Sequence, residues 1–179
     1  MKIAVDLRGL HSGKISGVEN YILNILERIV KIDRTNHYLL FTNGWREQDF
    51  ASLKFINSQL KQRHWPNKLF NVAVRFFNWP KFENYFGQFD CLFLPNANFF
   101  ALNSRSKLIV TAHDLSPIKT PEFYDLRRRL WHKFIGIGRT FKRADHIIAV
   151  SEYTKADVIE LFGISENKIS VVYPGIDRE

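Results

Sequence analysis

Apolar positions along the chain fall into two rhythms: short β-branched runs, and longer stretches in which apolar residues recur every three or four places. Runs at Ile3 to Val5, Tyr38 to Thr42, Cys91 to Leu94, Leu108 to Ala112, Ile147 to Val150 and Ile169 to Val172 are short and nearly continuous, as strands buried on both faces should be. Helical stretches lie between them, and that alternation predicts an α/β fold, a Rossmann-like parallel sheet with helices on both faces. The helix after Gly17 places Val18, Tyr21, Ile22, Ile25, Leu26 and Ile29 on a packing side, with Glu19, Asn24, Glu27 and Arg28 opposite. The last helix is bounded by Ser151 as N-cap and Gly163 as stop, with Glu152 in its first turn and Val158, Leu161 and Phe162 on one face. Between about Glu47 and Phe89, Trp65-Pro66 and Trp79-Pro80 interrupt two apolar segments read as helical.

The stretch from Lys119 to Arg143 carries eight basic residues against Glu122 and Asp125. Read as one helix, it places Leu126, Leu130, Trp131, Phe134, Ile135, Ile137 and Phe141 on one side, and Arg128, Arg129, His132, Lys133, Arg139 and Arg143 on the other. The plain reading is a core-packed helix with a solvated basic surface. The sharper one is an anion-binding face of Arg128, Arg129, Lys133, Arg139 and Arg143 that meets anionic lipid from the cytoplasmic side. This segment accounts for most of the net charge of +8. Nucleic acid is not an expected partner, because no aromatic residues interleave with these charges as stacking platforms.

Composition excludes other classes. Apolar residues make up 45% of the 179 positions, enough for a self-sufficient core. One cysteine, Cys91, rules out an internal disulfide, and its apolar neighbours mark it as a buried small hydrophobe. The start Met1-Lys2-Ile3-Ala4-Val5-Asp6 reaches an acid too soon for a signal peptide. No run approaches the roughly 18 apolar residues of a membrane span, so a cytoplasmic protein is expected.

Candidate chemistry collects just after the strands, where open α/β sheets bind ligands. The first strand runs into a loop with glycines at Gly9, Gly13 and Gly17. This spacing fits neither the dinucleotide fingerprint nor the P-loop. What remains is a loop ending in Ser16-Gly17, either an ordinary βα turn or a place where a phosphate approaches the backbone. His113 and Asp114 end the fourth run; His113 suits proton transfer or donation to a sugar hydroxyl, and Asp114 suits orienting it or accepting from a ligand. Asn96 and Asn98 follow the third run, and Ser151 the fifth, where plain helix capping is the competing role.

With these residues in place, the chain resembles the amino-terminal domain of the retaining, two-domain GT-B glycosyltransferases of family 4. The resemblance is carried by Ser16-Gly17-Val18-Glu19-Asn20-Tyr21, by Val110 to Pro117, and by Arg143 to Thr154 continuing into Val171-Val172-Tyr173-Pro174-Gly175-Ile176-Asp177. It implies a nucleotide-sugar donor, a saccharide or lipid-linked acceptor, retention of configuration, and no metal or other cofactor. It places Ser16 and Gly17 by the donor diphosphate, with Ser16 standing where the family usually has glycine. His113 falls by the transferred sugar, and Asn96, Asn98, Asp114 and Ser151 by the acceptor. Residues 1–173 then form the acceptor-side domain and residues 174–179 begin an interdomain hinge, with the donor-binding domain absent and the chain alone inactive. A sugar-nucleotide epimerase of the same architecture and a non-enzymatic anion- or membrane-binding module are the rival expectations.

Overall fold

The computed structural model describes residues 1–12, 17–44, 56–103 and 105–175. Its strands are β1 (Lys2–Asp6), β2 (His37–Asn43), β3 (Ser58–Arg63), β4 (Cys91–Leu94), β5 (Lys107–Ala112), β6 (His146–Ala149) and β7 (Ile169–Val171). They form one seven-stranded sheet in the order β3-β2-β1-β4-β5-β6-β7. Helices α1 (Gly17–Ile32), α2 (Asn67–Phe77), α3 (Glu83–Phe86), α4 (Ser116–Lys119), α5 (Leu126–Ile135), α6 (Ile137–Arg143) and α7 (Glu152–Phe162) connect them. The expected parallel α/β architecture is therefore present. No helix among the described residues is long and apolar enough to cross a membrane.

The chain packs as two compact units, Met1–Pro95 with Phe99–Lys107, and Asn96–Asn98 with Leu108–Glu179. In the first unit β1 runs parallel to both β2 and β4, pairing Val5 with Leu40 and with Phe93. Ala4, Val5, Leu40 and Leu92 are almost wholly buried there. An aromatic cluster completes this core. Phe41 lies 5.0 Å from Phe82 edge-on, 5.1 Å from Tyr85 nearly stacked and 6.0 Å from Phe70, geometries that aromatic rings favour. In the second unit β6 pairs in parallel with β5 and β7. Leu108, Val110, Phe141, Ile147 and Val158 form its interior.

All six expected strands match to within a residue at each end, β6 being shifted by one residue toward the amino terminus. β3 was not anticipated. Its sequence Ser-Gln-Leu-Lys-Gln-Arg has no apolar run because, among the described residues, it pairs only with β2 at the end of the sheet, and a terminal strand tolerates polar side chains. α1 buries Ile22 and Leu26 as its spacing predicts, but it also buries Val30, which was not expected on the packing side, and Glu19, which was expected to face solvent. Its carboxylate stands in the first turn, where the helix dipole favours negative charge. α2 starts directly after Trp65-Pro66 and stops at Asn78, whose left-handed backbone (φ 51°) ends it before Trp79-Pro80.

The largest difference lies between Lys119 and Arg143. This is not one helix but α4, a 3-10 turn at Pro121–Phe123, α5 and α6. Gly136 adopts φ 65° between α5 and α6, a left-handed conformation that glycine takes at no steric cost and that breaks the α-helical ladder. The projection onto a single basic face therefore fails. Leu126 and Leu130, expected on the packed side, are 68% and 58% exposed.

The turn between α1 and β2 is organised by one carboxylate. Asp33 accepts hydrogen bonds from the Thr35 amide and hydroxyl, from the Asn36 amide and side chain, and from the Tyr38 hydroxyl at 2.6 Å. These donors, Tyr38 foremost, hold the Asp33 carboxyl well below the usual carboxylate range. Burial and the neighbouring carboxylate push the Tyr38 phenol upward. A group with a depressed folded-state pKa stabilises above its unfolded value, about 4 for Asp, and loses that contribution as pH falls. Asp33→Asn should therefore lower Tm by a few degrees at neutral pH, and the gap from the parent should close as pH falls through and below about 4. Thermal melts of the two proteins across that range measure the gap; a gap that is constant with pH would contradict this role for the charge.

Candidate functional site

Five of the residues singled out from the sequence, Asn96, Asn98, His113, Asp114 and Ser151, belong to the second unit. β5 and β6 run parallel with Ala112 opposite Ala149, so their carboxyl ends lie side by side and deliver His113 and Ser151 to the same edge. There His113 is half-buried and Asp114 exposed. The Thr154 hydroxyl, buried in the first turn of α7, donates to the main-chain oxygen of His113 at 3.2 Å. That bond ties the start of α7 to the end of β5. The backbone that carries the His113 ring is thereby held by a neighbouring element.

Ser151 caps α7 as expected. Its hydroxyl accepts from the Thr154 amide at 3.1 Å and shares a 3.0 Å hydrogen bond with the Thr154 hydroxyl. Asp114 has a local task as well: one carboxylate oxygen accepts from the Ser116 amide and the other from the Ser116 hydroxyl, both at 2.8 Å. The Ser116 hydroxyl also meets that of Tyr124. Asp114 thus orders the start of α4, and each of its oxygens keeps a lone pair for an outside donor. Asn96 is exposed and Asn98 half-buried beyond β4. These groups together suit a ligand rich in hydroxyls, which needs both donors and acceptors.

Ser16 lies outside the described residues. Gly17, in the first unit, opens α1, and a side chain added there would meet nothing within 4 Å. Packing within the chain therefore does not call for glycine at this position. Of the basic face, Arg129 and Arg139 are exposed on α5 and α6. Arg143 is half-buried and paired with Asp145 at 3.4 Å. Arg128 and Lys133 belong to α5. Lys119, counted among the positive charges, is engaged by Asp157 and by Glu160 of α7.

A cluster that sequence reading missed stands at the carboxyl end of β1. Arg8 and Asp6 are both buried and form a two-pronged ion pair, Nε to Oδ1 at 2.8 Å and Nη2 to Oδ2 at 2.7 Å. The guanidinium lies 4.9 Å from the Phe70 ring centre, 5.6 Å from Phe82 and 5.8 Å from Phe41. Nη2 also donates to the main-chain oxygen of Phe99, while Nη1 is buried with no hydrogen-bond partner among the described residues. The sequence signal was an acid and an arginine two residues apart at the end of a buried strand, hidden because both read as loop residues. A cleft of about 1050 Å³ in this unit opens instead at the amino ends of strands, by Lys2, His37 and Lys107. Its acids have partners within the chain: Glu83 Oε1 accepts from the Asn103 amide and the Ser106 hydroxyl, and Asp90 accepts from the Lys2 amide.

Removing one member of a buried ion pair strands the other, at a cost of about 3–5 kcal/mol, whereas apolar replacement of both is often tolerated. Arg8→Met should therefore destabilise the chain by about that amount, and Asp6→Leu added to it should restore most of the loss. Urea denaturation of the three proteins checks this, and a double variant no more stable than Arg8→Met would contradict it.

Comparison with known proteins agrees with this architecture. No curated protein sequence matches the chain. A solved structure titled "lipopolysaccharide outer core galactosyltransferase WaaB apo form" is similar in fold, with a TM-score of 0.53 and 18% identity, over 97% of this chain and 45% of that one. The chain thus spans a little under half the length of that protein. The model of Glycosyltransferase Family 4 matches residues 15–179, nearly the whole sequence, and the chain belongs to that family.

Proposed function

We propose that this chain is the acceptor-side, amino-terminal domain of a two-domain glycosyltransferase that moves a sugar from a nucleotide-sugar donor to a saccharide or lipid-linked acceptor with retention of configuration. Membership of the family over residues 15–179 supports the reaction class. The observation that carries the placement of the site is His113, half-buried directly beyond β5 with its main chain anchored by Thr154.

In this reading the His113 ring hydrogen-bonds a hydroxyl of the transferred sugar, holding it where the bond to the acceptor forms. Asp114, with a lone pair left on each oxygen, and Asn96, Asn98 and Ser151 take the acceptor's hydroxyls. Ser16 and Gly17 meet the donor diphosphate through the backbone at the start of α1. The negative charge that develops on the leaving nucleoside diphosphate needs cations placed against it. A second, carboxyl-terminal domain supplies them, so the present chain alone transfers no sugar at a useful rate. The chemistry requires no metal ion.

In the two-domain enzyme, His113→Ala should lower kcat by about a hundredfold or more while leaving the fold intact. The assay is transfer from the donor nucleotide sugar, with the anomeric configuration of the product read by NMR. The chain of residues 1–179 should show no transfer in the same assay. A His113→Ala enzyme of parental kcat would remove His113 from the site, and an inverted product would overturn retention.

A further inference from the structure

Trp65 and Trp79 form an aromatic corner on the surface of the first unit. Their ring centres lie 5.8 Å apart with the planes inclined at 59°, and both side chains are exposed, Trp65 by 37% and Trp79 by 51%. Trp65 follows β3 by two residues, so it stands beyond the carboxyl end of a parallel strand, the edge where open α/β sheets take ligands. The corner is held from beneath. Asn43, buried at the end of β2, grips the Trp65 main chain twice: its Nδ2 donates to the Trp65 oxygen and its Oδ1 accepts from the Trp65 amide, both at 3.1 Å. The Trp65 ring also meets the buried Phe70 ring at 6.4 Å, nearly perpendicular to it. Between the two tryptophans, α2 exposes Leu69, Val72, Phe76 and Phe77 as an apolar stripe.

The corner differs from that stripe in its chemistry. Each indole joins a wide π-face to an N–H donor, and neither N–H has a hydrogen-bond partner among the described residues. A pyranose is built to the same division: one face of C–H groups, whose hydrogens carry slight positive charge, and a rim of hydroxyls. The negative face of an aromatic ring attracts those hydrogens, and an indole N–H at the ring edge donates to the hydroxyl rim. Two ring planes inclined to each other meet a sugar on a face and on an edge; an acyl chain has neither the flat face nor the hydroxyls. We propose that Trp65 and Trp79 are a stacking subsite for a pyranose ring of a saccharide acceptor. This rests on the transferase reading and narrows it, because the acceptor then presents a sugar ring to the first unit as well as hydroxyls to the second.

The test is saturation-transfer NMR on the chain of residues 1–179 with the methyl pyranosides of glucose, galactose and mannose, and with sorbitol, which has the hydroxyls but no ring. At least one pyranoside should receive saturation at its ring C–H protons, and sorbitol should not. Trp79→Ala should weaken the binding of that pyranoside by about tenfold, and Trp79→Phe by less, since a smaller π-face remains. Trp79 is half exposed, so thermal melts should show both variants folded. Leu69→Ser/Phe76→Ser, on the α2 stripe, should bind the sugar as the parent does, which separates stacking in the corner from general apolar adhesion. The proposal fails if no pyranoside is saturated, if sorbitol is saturated equally, or if the Trp79 variants bind as the parent does. None of these outcomes bears on transfer from a nucleotide sugar, which the His113→Ala assay reads separately.

Discussion

The guanidinium of Arg8 is the fixed point of the first unit. It sits at the end of β1, a strand paired on both sides, with its charge matched by Asp6 and its surroundings supplied by Phe41, Phe70 and Phe82. Three elements are joined through that one group: Phe41 comes from β2, Phe70 from α2, and the accepting main-chain oxygen from Phe99 beyond β4. An ion in such a place carries a large desolvation cost, offset only by the two-pronged contact and the ring faces. The chain beyond β1 therefore departs from a rigid anchor.

The second unit uses neutral hydrogen bonds for a similar purpose. Ser151, Thr154 and the main chain of His113 form a short relay across the ends of β6 and β5. The capping that helix α7 requires and the anchoring of the His113 main chain are done by the same hydroxyls. For that reason capping and ligand binding at Ser151 are not competing explanations: a capped helix start presents its remaining polar groups in a fixed direction.

How much of this was readable beforehand follows from what each residue responds to. Strands buried on both faces must be apolar, so β1, β2, β4, β5, β6 and β7 announced themselves, and Ser151 and Gly163 marked the ends of α7 because backbone groups at helix ends demand particular partners. β3 was invisible because a strand at the end of a sheet answers to hydrogen bonding rather than burial. Glu19 and Arg8 were misplaced for the opposite reason: a charged residue reads as exposed until its partner is known, and the Arg8 partners come from positions 6, 41, 70, 82 and 99. Gly136 looked like a tolerable helix glycine, and only the backbone shows its left-handed turn. The glycosyltransferase resemblance was legible because motifs kept their order. The outward stripe of α2 was not, since the same apolar letters spell core or surface depending on which side the sheet lies.

The polar composition of β3 bears on solubility. A terminal strand is a place where another extended chain can add to a sheet, and a stripe of exposed Phe and Leu on the adjoining helix would make such an encounter adhesive. Lys61 and Arg63 place two cations within that six-residue strand, which disfavours stacking of one copy's edge against another's. A polar, cationic strand at that position makes a poorer template for sheet extension than an apolar one would.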